Sequence, residues 1–370
     1  MRVCYIIENM FNSGGMERVL SVCASSLSKT FDVSILTIYQ KGQAYYFPLS
    51  ASAHRYDLGL ENVSNKRLLK KKLSDFLMYH SFDIVVSLGG IDMYYLHSIK
   101  DGSKKIVWFH FAYNVSYTLW HGGHFGLKAK LKGYLQHFKR INHAKQYDQI
   151  VVLSSADALA WKRHTDKVSL IFNPVTINNA IVSSCDAKSV ISVGRLDYAK
   201  GFDYLISAWK LVAQKHPDWS LDIYGDGELR PQLQEQIDQL NLGDKVRLCG
   251  RSTDIASCYS QHSIYVMSSR SEALGLVLLE ASLCGLPLIA YDCPFGPREV
   301  IADGKNGILI KEVGDIEGMA NAINSLIKDD SLRDYMGTNA RQMVRKFSLT
   351  HITEQWIRLF KDVMVYDNQT

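Results

Sequence analysis

SVISVGRLDYAKG, residues 189–201, reads as a short apolar strand that breaks at Gly194 and carries Arg195 and Lys200 on the loop behind it. It is a second beginning. Residues 2–9, RVCYIIEN, open the chain the same way, and NSGG then leads into MERVLSVCASSLSK at helical spacing. Between the two starts, FDVSILTI, FDIVVSLGG, KIVWFHFAYN and QIVVLSS read as strands separated by helical stretches. After residue 189 the rhythm repeats with SLDIYGDG, KVRLCGR, SIYVMSS, LPLIAYD and GILI. Strands alternating with helices imply a parallel, doubly wound sheet. IFNPVTI and the polar stretch NNAIVSSCDAK interrupt the alternation, so a hinge is expected near residues 173–188. The α/β fold predicted is two Rossmann-like domains facing a cleft, over residues 1–176 and 177–348, with a last amphipathic helix over 349–366.

Length and composition agree with two domains. The chain has 370 residues, 47% apolar and 21% charged, as in an ordinary globular protein. No apolar run reaches the ~18 to 20 residues of a spanning helix. The start MRVCYIIENM lacks a signal-peptide layout, and seven scattered cysteines show no Cys-x-x-Cys pair. A cytoplasmic protein with reduced thiols is expected, without a disulfide framework or zinc site. The net charge of +5 hides an asymmetry. Residues 1–176 hold 22 Lys and Arg against 12 Asp and Glu, while residues 177–370 hold 20 against 25. The two halves are therefore expected to meet different partners.

Ligands of open α/β sheets bind at the carboxyl ends of strands, and there the second half is rich. SEALGLVLLEASLCG, residues 271–285, follows the strand SIYVMSS. Gly275 permits close approach of backbone to a ligand. Leu276 and Val277 start a helix apolar nearly all round, whose first amide groups suit a diphosphate. Glu280 lies one turn further in, where an unpaired carboxylate is costly. It reads either as a ligand for the vicinal hydroxyls of a ribose or as the mate of a structural cation. Glu272 reads either as a grip on further hydroxyls or as a solvated loop residue. Arg195 and Lys200 are either a charge pair for a diphosphate leaving group or an ordinary surface pair. YGDGELR, with Gly225, matches only part of the dinucleotide pattern G-x-G-x-x-G, because Arg230 takes the last glycine position. CGRS offers Arg251 and backbone edges to a flat base, or is a plain turn.

In combination these residues resemble glycosyltransferase family 4, which has the GT-B fold. The resemblance rests on Gly14-Gly15-x-Glu17, GRLDYAKG, YGDGELR, the Gly250-Arg251 turn and Glu272-x7-Glu280, and it covers essentially the whole chain. DCPFGPREVI, residues 292–301, is similar to the amylovoran-type and GalNAc-transferring branch, whose members mostly use UDP-sugars to build surface polysaccharides or lipid-linked oligosaccharides. The resemblance implies that Arg195 and Lys200 bind the pyrophosphate, Glu280 the ribose, and Glu272 the donor-sugar hydroxyls. It implies that the backbone of Gly275, Leu276 and Val277 binds phosphate and that the base lies near Arg251. It puts Gly14 and Gly15 in a loop near the phosphates and acceptor. His110 aligns with a histidine near the donor sugar, or is a buried structural one. Ala273-Leu274 replaces an aromatic residue common in the family, which implies a differently shaped sugar pocket. Retention of configuration without a required metal or cofactor is implied as well, and the sequence has no Asp-x-Asp motif.

KRLLKKK, residues 66–72, and GLKAKLKGYLQHFKRINHAK, residues 126–145, carry much of the positive charge. They read either as solvated helical faces or as a surface for anionic membrane, beside which a lipid-linked acceptor would reach the N-terminal domain. No nucleic-acid-binding motif accompanies the charge, so nucleic acid is not an expected partner. A UDP-sugar 2-epimerase and a non-catalytic subunit on a degenerate transferase fold are the competing readings.

Overall fold

The computed structural model describes residues 1–115, 127–177 and 180–365. The chain forms two compact units. One holds the described residues up to Thr176 and those from Ser348, and the other holds Ile177–Phe347 less the residues outside the description.

In the first unit the order is β1 (Arg2–Ile7), α1 (Gly15–Leu27), β2 (Asp32–Thr37), β3 (His54–Asp57), α2 (Lys66–His80) and β4 (Ile84–Ser87). It continues with α3 (Met93–Leu96), β5 (Lys104–Trp108), α4 (Leu127–Ala144), β6 (Gln149–Val152), α5 (Ser155–Lys162) and β7 (Val168–Leu170). The seven strands pair in parallel in the order β3-β2-β1-β4-β5-β6-β7. Central strands such as IVVS are buried along their whole length because helices cover both faces. The sequence reading passed over β3 and β7. Both are edge strands, and HRYD in particular is largely exposed, so neither carries an apolar run.

The second unit runs β8 (Ser189–Val193), α6 (Phe202–Lys215), β9 (Ser220–Tyr224), α7 (Arg230–Gln239), β10 (Val246–Gly250), α8 (Ile255–Ser260) and β11 (Ile264–Met267). It ends with α9 (Leu276–Leu283), β12 (Leu288–Tyr291), α10 (Pro297–Val300), β13 (Gly307–Ile310), α11 (Ile316–Lys328) and α12 (Asp330–Met343). Its six parallel strands take the order β10-β9-β8-β11-β12-β13. Val190, Trp209, Ile223, Val266 and Ile323 lie in one continuous core. The direction of winding reverses between β8 and β11, so the loops behind those two strands emerge side by side.

A last helix, α13 (Leu349–Val365), packs on α1 in the first unit. Thr353 Oγ1 meets Ser26 Oγ at 2.9 Å, the Trp356 ring lies 4.8 Å from Trp108, and Phe360 meets Phe31 at 5.8 Å. Tyr366, expected in this helix, and Asn178 and Asn179, expected in the linker, lie outside the described residues, as does Gly126 of the second basic stretch.

Candidate active site

The adjacency of β8 and β11 brings Lys200 to Glu272. Lys200 closes a single 3-10 turn, Tyr198–Lys200, capped by the Asp197 carboxylate on the Lys200 amide. Its Nζ lies 2.6 Å from Glu272 Oε1, and Ser269 Oγ donates to the same oxygen at 2.7 Å. The two side chains are only 23% and 10% exposed, so the pair is largely screened from water. Arg195 stands on the same loop but points outward, 76% exposed, with Nε donating to Asp197 Oδ2 at 2.5 Å.

Glu280 sits in the second turn of α9, 1% exposed. The hydroxyl of Tyr259, from α8, donates to its Oε2 at 3.1 Å. Burial and the charges of Glu272 and Glu280 together hold the Tyr265 phenol well above its ordinary pKa, so both glutamates act on one side chain of β11. The start of α9 is open. Gly275 is its N-cap at φ 83°, with no side-chain cap, and Leu276 and Val277 begin the helix without intrahelical acceptors for their N–H groups. This places positive backbone potential just after Glu272, the partner of Lys200, in the chain.

Gly225 has a packing role. A Cβ there would lie 1.8 Å from the Gly194 carbonyl oxygen, and one on Gly227 would lie 2.4 Å from that of Leu196. The two glycines let β9 and its loop seat the 194–200 loop, sealed by Gly194 N to Tyr224 O at 2.9 Å and Leu196 N to Asp226 O at 3.0 Å. Arg251 follows Gly250 (φ 74°) in an exposed segment behind β10, further along the same edge of the sheet.

Three residues that complete this arrangement were given no site role from the sequence, where Cys293 entered only within the DCPFGPREVI motif. Arg270 donates to both Asp203 oxygens, at 2.8 and 2.5 Å, and to the Tyr198 carbonyl at 2.8 Å. Its guanidinium lies 4.1 and 4.0 Å from the Tyr198 and Tyr204 ring centroids. Its amide donates to Ala199 O at 2.7 Å. This clamp ties the β11 loop to the turn carrying Lys200. Tyr259 is the second. Cys293 is the third: burial and the Glu272 carboxylate push its thiol up, while Lys200 acts the other way, which places it beside the ion pair. Its loop continues through Phe295 (φ 70°) to Gly296, where a Cβ would come within 3.1 Å of Ala273 and Leu274 backbone. The small Gly296 supports the segment where the expected aromatic residue is missing.

In the first unit, Gly14 is the N-cap of α1 and Gly15 its first residue. A Cβ on Gly14 would lie 2.3 Å from Glu17 Oε2, so the Glu17 carboxylate folds back over this helix start. Burial raises its pKa. His110 follows β5. Its ring is 4.3 Å from that of Trp108, and its Nε2 is buried with no partner among the described residues. Burial lowers its pKa to about 3, so the imidazole is neutral at physiological pH. Among the described residues no cluster of His, Cys, Asp and Glu is arranged to hold a metal ion.

Two parallel-sheet α/β units with polar loops at the strand ends form a two-domain Rossmann-like architecture, and comparison with known proteins makes it specific. The chain belongs to the glycosyl transferases of group 1, whose family description matches residues 177–343. An uncharacterized glycosyltransferase of Haemophilus influenzae is 30% identical over 365 residues, covering 96% of this chain and 98% of its own. A Campylobacter jejuni enzyme is 26% identical over 98% of this chain and 99% of its own. It is described as the alpha-1,4-N-acetyl-D-galactosaminyltransferase acting on GalNAc-alpha-(1->4)-GalNAc-alpha-(1->3)-diNAcBac-PP-undecaprenol. The crystal structure of S. aureus TarM with fondaparinux, alpha-GlcNAc-glycerol and UDP superposes with a TM-score of 0.80 at 19% identity, over 97% of this chain and 99% of that one. The fold is that of the GT-B glycosyltransferases.

Proposed function

We propose that the chain is a retaining transferase of family 4, in the amylovoran and GalNAc-transferring branch. It moves a hexose or N-acetylhexosamine from a UDP-sugar to a hydroxyl of a glycan or lipid-linked saccharide in surface polysaccharide or glycoconjugate synthesis. The observation that carries this reading is the Lys200–Glu272 pair beside the uncapped start of α9, with Glu280 buried one turn further in.

The donor diphosphate lies against Gly275, Leu276 and Val277 in this reading, and Lys200 supplies the counter-charge. The exposed Arg195 turns from Asp197 to add a second cation. Glu280 accepts hydrogen bonds from the ribose hydroxyls, with Tyr259 holding its other side, and Arg251 borders the base. Glu272, oriented by Lys200 and Ser269, accepts from hydroxyls of the donor sugar. As the bond between anomeric carbon and phosphate oxygen breaks, negative charge collects on the diphosphate and is stabilised by groups already in place. The acceptor oxygen bonds to the anomeric carbon from the same face, and its proton passes to the departing phosphate oxygen. The scheme uses no metal, because Lys200, Arg195 and the helix start provide the positive charge. In the first unit, the Gly14-Gly15 loop serves the acceptor. His110, as a neutral imidazole, offers a hydrogen bond to the sugar.

The acceptor is held to reach the first unit from an anionic membrane surface. Support comes from α4, where Lys128, Lys130, Lys132 and Lys139 are exposed beside Leu131, Tyr134, Leu135 and Phe138. Arg140 of the same helix is not part of that face: it is buried and donates to Tyr113 O at 2.8 Å. Among the described residues no helix is long and apolar enough to cross a membrane.

Isothermal titration of the purified protein with UDP, GDP and four UDP-sugars tests the donor site. UDP is expected to bind and GDP to bind more weakly. Glu280→Ala, checked for folding by circular dichroism, should weaken UDP at least tenfold, as loss of a buried charged hydrogen-bond acceptor costs ~1.5–3 kcal/mol. Unchanged UDP affinity in a folded Glu280→Ala protein overturns the ribose role. Conversion of a UDP-sugar to an isomer without transfer would favour an epimerase.

A further inference from the structure

The loop between β2 and β3, Ile38–Ala53, has neither helix nor strand, yet it is fastened along its length. Gln40, buried, receives the Met10 amide on Oε1 at 2.9 Å and donates from Nε2 to Gln43 O at 2.9 Å. The Tyr46 amide donates to Met10 O at 2.8 Å, and the Ser50 amide to Ser25 Oγ at 2.9 Å. Ser21 Oγ of α1 bonds the Pro48 carbonyl. Long loops without secondary structure are uncommon in compact domains and usually serve function. This one stands at the carboxyl end of β2. It is tied to the segment that runs from β1 to Gly14.

What the fastening presents is a cavity of about 320 Å³, lined by Gln43, Tyr45, Phe47, Leu49 and Arg55 among others. That size falls at the small end of ligand pockets, ~300–1,000 Å³. The Arg55 guanidinium lies 5.1 Å from the Tyr45 ring centroid and bonds Leu49 O at 3.3 Å, so it is held at the wall. Arg18, from the first turns of α1, lies 5.8 Å from Phe47. Tyr46, 57% exposed, packs edge-on to Phe47 at 4.9 Å. Among the described residues the lining carries a guanidinium and a carboxamide and no carboxylate.

Aromatic rings beside planar hydrogen-bond donors fit a pyranose. Its C–H faces carry partial positive charge and pack on the negative faces of aromatic rings. Its hydroxyl oxygens accept from guanidinium and carboxamide N–H groups. A purely apolar ligand would leave those donors unpaired, which is costly. We infer that the Tyr45–Leu49 segment with Gln43 and Arg55 is a saccharide subsite that binds a sugar ring of the acceptor. The inference rests on the reading of the first unit as the acceptor domain. It makes the acceptor a saccharide.

Saturation-transfer NMR on the full chain tests this. The probes are the methyl α-glycosides of glucose, galactose and N-acetylgalactosamine and the matching α-1,4-linked trisaccharides. At least one trisaccharide should receive saturation and bind more tightly than its monosaccharide glycoside. Phe47→Ala and Arg55→Ala should each weaken it threefold or more, with UDP affinity unchanged. Tyr46→Ala removes an exposed ring that packs on Phe47, keeps the backbone bond to Met10 O, and should weaken binding as well. No binding by any trisaccharide, or losses below threefold in all three variants, overturns the subsite. Failure of UDP to bind the wild-type chain is a separate result that strikes the transferase reading instead.

Discussion

At the scale of single residues, the Lys200–Glu272 contact carries the most chemistry. The Lys200 ammonium stands 2.6 Å from the Glu272 carboxylate where both side chains are largely screened from water, so each charge offsets the desolvation of the other. In the proposed reaction the lysine charge is turned toward the departing diphosphate. Lys200→Ala should therefore lower turnover on the order of 10²- to 10³-fold, the usual effect of removing one such group. Steady-state release of UDP from the donor that titration selects provides the check. A folded Lys200→Ala protein with unchanged turnover would reduce the pair to a structural tie. The sequence showed Lys200, Glu272 and Glu280 because each charge interrupts or borders an apolar element. It did not show Arg270 or Tyr259, and it showed Cys293 only as part of a motif. The Arg270 side chain acts through Asp203, Tyr198 and Tyr204. Tyr259 looks like any core tyrosine until Glu280 is seen facing it across 21 residues of chain.

At the scale of elements, the site depends on how closely the loops behind β8, β9 and β10 can lie. Gly225 at φ 139° leaves no room for a side chain, because the Gly194 carbonyl occupies the Cβ position. Gly250 has a similar backbone restriction, at φ 74°, but nothing within 4 Å of its Cβ position. Gly250→Ala should cost ~1–2 kcal/mol, the penalty of a left-handed backbone alone. Gly225→Ala should cost more, because a displaced backbone adds overpacking of ~1–3 kcal/mol. Urea unfolding of both variants compares them. Equal losses would show that the two loops part without strain. The glycines were visible in the sequence as a broken dinucleotide pattern. Their packing role was not, since it is set by a carbonyl some thirty positions earlier in the chain. The edge strands β3 and β7 were missed for a related reason. With only one neighbour each, they are stabilised by pairing to β2 and β6 rather than by an apolar run of their own.

At the scale of the whole molecule, charge is divided unevenly, with 22 basic against 12 acidic residues in the first 176 and the reverse imbalance after them. If the exposed face of α4 meets a membrane, each lysine there contributes about 1 kcal/mol near anionic headgroups. Replacing Lys128, Lys130 and Lys132 by alanine should then lower binding to vesicles of mixed phosphatidylglycerol and phosphatidylcholine on the order of 10²-fold. Sedimentation with and without the anionic lipid measures it. Equal sedimentation of wild type and variant would make α4 a solvated face. The sequence by itself determined the alternation of strands and helices, their division into two doubly wound units, and the charged loops between them. These follow from periodicity and from the position of polar residues at strand ends, which are local properties. Only the tertiary structure decided that Lys200 touches Glu272, that Arg195 faces outward, and that an aromatic loop is fastened beside α1. Those outcomes depend on strand order, which sets loops distant in the chain side by side and leaves no periodic trace in the residues themselves.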